Sequence, residues 1–136
     1  MSKKNSENRS AAVQTAAMTP AHTLILILKI LLVFSCAGNI YYFLRTGAVT
    51  DIVFNAVFAV ILICSAVFHN RKTGVYLLFA YLILELAYNF MIFIAAAVQG
   101  LWTSAATERL IGYTLFTALM IFLLHRYYRD RINYLK

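Results

Sequence analysis

Residues 74–98 read GVYLLFAYLILELAYNFMIFIAAAV, a long apolar run with a single charge, the carboxylate of Glu85. About 20 such residues in a helix cross the roughly 30 Å of hydrocarbon in a bilayer. The run is therefore read as a membrane span. Three more runs of similar make-up lie at 22–44, 50–68 and 104–126. The whole chain is 62% hydrophobic and 12% charged, with a mean hydropathy of +0.76. An ordinary soluble domain is about half apolar and about a quarter charged. A chain of 136 residues has too much surface for its volume to bury such an excess from water. The expectation is an all-α polytopic membrane protein, a four-transmembrane-helix antiparallel bundle over residues 20–126. A disordered polar tail covers 1–19, and a basic, tyrosine-rich tail covers 127–136.

Charge placement sets the expected threading. Lys and Arg outnumber Asp and Glu by 12 to 5. Lys3, Lys4, Arg9, Arg71, Lys72, Arg126, Arg129, Arg131 and Lys136 share one side if the chain crosses four times, leaving Arg45 and Arg109 opposite. Positively charged loops stay in the cytoplasm, so both termini are expected there, in a bacterial inner membrane. The basic excess then reads as topology and attraction to anionic lipid headgroups, with the bilayer as partner and no nucleic acid. Aromatic residues mark the rims, with Tyr41, Tyr42 and Trp102 outside and Tyr76, Tyr127 and Tyr128 inside.

The N-terminus does not have the form of a cleavable signal peptide, because its charged region is long and its apolar stretch runs on too far. Thr19 and Pro20 instead read as the N-cap and first residue of a helix. VFSC, ending at Cys36, loosely resembles a lipobox, but Lys29 interrupts the apolar region before it. Small residues that admit a neighbouring helix are the preferred reading. Cys36 and Cys64 fall at depths roughly 15 Å apart, too far for a disulfide.

Polar residues inside the spans are the candidate site. At 100° per residue, Tyr81, Glu85, Tyr88, Asn89, Ile92, Ala96 and Gln99 form one stripe, with Ile83, Phe90 and Ile94 opposite. Glu85 is expected to face protein, neutralised, paired or hydrated. Lys29, the one basic residue within a span, either pairs with Glu85 or snorkels to the cytoplasmic headgroups. Asn39, Asn55 and Asn89 fall at one depth and are read first as a hydrogen-bonded packing layer, second as a polar vestibule. His22, His69 and His125 share the cytoplasmic boundary, but no nearby Cys or acidic cluster supports a metal centre, so no metal and no cofactor are expected.

Loops of about five residues leave no room for a soluble catalytic domain, and no HExxH, CxxC, GxSxG or phosphate-binding loop occurs. The layout resembles that of many small four-span proteins of bacterial inner membranes. The parallel with small multidrug transporters fails at the residue level: their acid lies in the first span, where this chain has Lys29. The favoured expectation is a non-enzymatic protein acting through contacts with another membrane protein or with itself, as an accessory, assembly or immunity-type subunit. The alternative is a proton- or cation-coupled transporter or channel that uses Glu85 and works as an oligomer.

Overall fold

The structure, a computed structural model, describes residues 3–9 and 20–135. Among these residues the secondary structure is all helical. A short helix α1 covers residues 3–9, within the stretch expected to be an unstructured tail. Thr19, the expected N-cap, lies outside the described residues, while Pro20 is the first residue of its helix, as a residue with a fixed φ and no N–H favours.

Four long helices follow: α2 (Pro20–Thr46), α3 (Val49–Val67), α4 (Lys72–Val98) and α5 (Ser104–Arg129), then a 3-10 turn at Ile132–Tyr134. Each of the four is long and apolar enough to cross a membrane. Their outward faces carry large apolar side chains such as Phe34, 70% exposed, and Leu115, 65% exposed. Such faces suit lipid, and the chain has the make-up of a multi-pass membrane protein. The expected spans sit inside the observed helices to within a few residues at each end.

Two turns are closed by the backbone itself. α2 ends with Gly47 at φ 73° and the Ala48 N–H bonded to the Phe43 carbonyl at 3.3 Å. α4 ends the same way, with Gly100 at φ 69° and the Leu101 N–H on the Ala96 carbonyl at 3.0 Å. Both are six-to-one closures with a left-handed residue just past the helix, a place where glycine costs least. α5 then starts on Thr103, whose hydroxyl oxygen accepts the Ala106 N–H at 3.2 Å.

The chain forms two compact units. The first takes in α2, α3, the start of α4 to Leu78 and the C-terminal segment from Asp130. Here α2 and α3 run antiparallel: His22, near the start of α2, meets Asn70 beyond the end of α3, and Asn39 meets Asn55 near the opposite ends. Their buried residues are His22, Ile25, Lys29 and Cys36 on α2 and Asn55, Phe58, Leu62 and Ser65 on α3. Steps of three and four residues keep one seam of each helix facing the other. The second unit, Phe79–Arg129, holds the rest of α4 and all of α5.

Candidate functional site

The densest polar cluster lies in the first unit, where α3 ends and α4 begins. Past Ser65 the helical ladder of α3 changes: the His69 N–H bonds the Ala66 carbonyl, three residues back, at 3.2 Å. The Ser65 carbonyl, which a continuing helix would pair with His69, is left as one of the unsatisfied acceptors of a helix end. Lys29 takes it. Its ammonium donates to the Ser65 carbonyl at 3.0 Å, to His69 Nδ1 at 3.1 Å and to the Gly74 carbonyl at 3.5 Å. A lysine has three N–H donors, and all three are spent. The cation also stands at the negative end of the α3 dipole, where positive charge is favoured.

The rest of the cluster fixes the proton positions. His69 Nε2 donates to the His22 carbonyl at 2.9 Å, so Nδ1 keeps the lone pair that accepts from Lys29. The His22 ring stacks on His69 with centroids 3.8 Å apart, and its Nε2 donates to Asn70 Oδ1 at 3.0 Å. The Ser65 hydroxyl donates to the Gly74 carbonyl at 2.6 Å. His69 lies in the turn between α3 and α4. Burial first, then the charges of Lys29 and His22, bring its pKa from the ordinary 6.5 down to about 4, so its ring is neutral near pH 7.

Gly74 makes this approach possible. A Cβ there would sit 2.1 Å from the Phe68 carbonyl oxygen and 2.9 Å from that of Ser65. Those are backbone atoms that cannot swing aside.

Both expectations for Lys29 are thereby corrected. The residue is 0% exposed, so it does not snorkel to the headgroups. Nor does it depend on Glu85 for a partner, because two carbonyls and an imidazole already fill its three donor positions. Sequence reading missed the cluster because a carbonyl acceptor has no residue identity. The one available sign was that Lys29, His22 and His69 share an end of the spans.

Glu85 belongs to the second unit, is half-buried, and is hydrogen-bonded by the Tyr81 side chain four residues earlier. Asn89 donates to the Glu85 carbonyl at 2.9 Å. Of the expected stripe, Tyr81 is buried and Glu85, Tyr88, Asn89 and Ala96 are half-buried. Ile92 and Gln99 are exposed, as are Ile83, Phe90 and Ile94 opposite. Of the three asparagines, Asn39 and Asn55 bond side chain to side chain at 3.2 Å, and Asn55 also donates to the Asp51 carbonyl at 2.8 Å. Asn89 makes its bond within α4.

A cleft of about 240 Å³ lies within the second unit, between the last turns of α4 and the first turns of α5. Ile92, Phe93, Ala96 and Leu110 give it an apolar wall, with Asn89, Arg109 and Tyr113 adding polar groups. Trp102, in the connecting loop, stands edge-on to Phe93 with centroids 4.0 Å apart. Cys36 is buried and Cys64 half-buried, and the two are not joined in a disulfide. Among the described residues, no three His, Cys, Asp or Glu side chains are grouped to hold a metal ion.

No family model, curated protein or solved structure matches the chain.

Proposed function

We propose that the protein is a non-enzymatic subunit of a bacterial inner membrane, with both termini cytoplasmic and its four helices threaded as an antiparallel bundle. In this reading it works through helix contacts with another membrane protein or with itself, in an accessory, assembly or immunity-type role. The closed bonding of Lys29 is the observation that carries the reading. A buried ammonium with three fixed acceptors holds α2, α3 and the start of α4 together and leaves no donor for a substrate. The broad apolar faces of all four helices supply surface for lipid or for a partner helix.

Photo-crosslinking in native membranes tests this directly, with a photoreactive residue placed singly at exposed positions such as Phe34 and Leu115. A discrete cross-linked protein species from one helix face is expected. Lipid adducts alone from every face would sink the proposal.

Glu85 supports a second reading, a proton- or cation-coupled transporter built from more than one copy, because an intramembrane carboxylate marks ion pathways in many membrane proteins. Liposomes containing the purified protein separate the two. The contact role predicts proton flux no greater than in empty vesicles, whereas flux abolished by Glu85→Gln would establish the transport reading instead.

A further inference from the structure

The cleft of the second unit has a chemistry that the contact role does not use. Its wall is apolar, and its one charged lining residue is Arg109, an exposed guanidinium with no carboxylate paired to it among the described residues. Glu108 is adjacent in sequence but is not among the lining residues. Arg109 sits in the second turn of α5. Tyr113 and Trp102 also line the cleft. The guanidinium of Arg109 thus stands at a mostly apolar trough of Ile92, Phe93, Ala96 and Leu110.

Size narrows the occupant. A volume of about 240 Å³ falls below the roughly 300–1,000 Å³ of pockets that enclose whole small molecules. It suits one chain of a larger amphiphile whose head stays outside. Trp102 of the α4–α5 loop lines the cleft, and an interfacial tryptophan marks the level where a lipid's phosphate meets its tails.

We propose that this cleft binds one anionic phospholipid of the surrounding bilayer, with its phosphate on Arg109 and one acyl chain lying along Ile92, Phe93 and Leu110. A guanidinium donates a planar fork of N–H groups that matches phosphate oxygens. The site acts as a fixed lipid seat on the α4–α5 face, independent of which protein partner the chain meets.

Trp102 is the only tryptophan in the chain and lies in the cleft, so its fluorescence reads occupancy directly. The full-length protein is reconstituted in phosphatidylcholine vesicles that contain a tail-brominated lipid, either phosphatidylglycerol or phosphatidylcholine. Bromine quenches on contact. Brominated phosphatidylglycerol is expected to reach half-quenching at about a fivefold lower mole fraction, the factor one arginine contributes at an anionic surface. Arg109→Gln should bring that ratio to about one, and Ala96→Phe, which fills the trough, should weaken quenching by both lipids. Equal quenching of the wild type by the two lipids would overturn the proposal. So would a preference that survives Arg109→Gln, because the basic tails would then be its source. Quenching that weakens as protein is added at fixed lipid would assign the cleft to a second copy of the chain, and the proposal would fall.

Discussion

Lys29, His22, His69, Ser65 and the Asn39–Asn55 pair bond from one helix or turn of the first unit to another. Around Glu85 two polar bonds run along α4 itself, from Tyr81 to the carboxylate and from Asn89 to the Glu85 carbonyl. The two patterns have different consequences in lipid. A bond between elements fixes which helix faces meet, because breaking it strands a donor or acceptor where no water can replace the partner. A bond along one helix satisfies its groups without holding a neighbour. The first unit accordingly reads as a lock, and the second carries the α4–α5 cleft.

The sharpest way to break this contrast is Gly74→Ala. The added Cβ meets the Phe68 and Ser65 carbonyls, so α4 must move away from the end of α3. A loss of at least about 3 kcal/mol is expected, at the upper end of overpacking costs, visible as a large drop in thermal midpoint in detergent. Gly38→Ala is the control, since a Cβ there meets nothing within 4 Å.

Lys29→Met should cost about 2 kcal/mol, because it leaves the Ser65 carbonyl and His69 Nδ1 buried without a donor. Glu85→Gln should cost less than about 1 kcal/mol, since an amide can still accept from Tyr81. The double variant should show the sum of the two to within about 0.5 kcal/mol, as independent sites do. A double variant that recovers what either single change loses would show the two charges to be coupled and would erase the distinction between the two units.

Acid should act on the lock next. An unfolded chain protonates the His69 ring below about pH 6.5, and the folded one only below about pH 4. The unfolded state therefore binds more protons across that interval. Stability from His69 is intact above pH 6.5 and falls as the pH drops toward 4, by at most about 1.4 kcal/mol per unit. Melting curves for the wild type and His69→Gln between pH 7 and 4 check this, and the variant should show the shallower decline.

The smallest effect is expected at the other end of the hairpin. Asn39→Ala removes one interhelical amide bond, worth about 0.6–1 kcal/mol in a membrane, and Asn55 keeps its bond to the Asp51 carbonyl. A thermal shift larger than that of Lys29→Met would move the centre of the lock from the Lys29 cluster to the asparagine pair.

Much of the architecture was legible from local chemistry. Apolar run length gave the four helices nearly to their ends, because spanning hydrocarbon demands an uninterrupted apolar segment. Gly47 and Gly100 stand just past α2 and α4, where left-handed backbone is needed, so those two turns are written in single residues. The turn after α3 is different. No positive-φ residue closes it, and its free carbonyl is capped by a lysine 36 residues earlier in the chain. The Asn39–Asn55 bond was legible as a shared depth on neighbouring spans. What Lys29 touches was not legible, because backbone carbonyls accept hydrogen bonds whatever residue bears them. Which carbonyls a helix end leaves free, and which distant ammonium can reach them, is decided only when the elements come together in three dimensions.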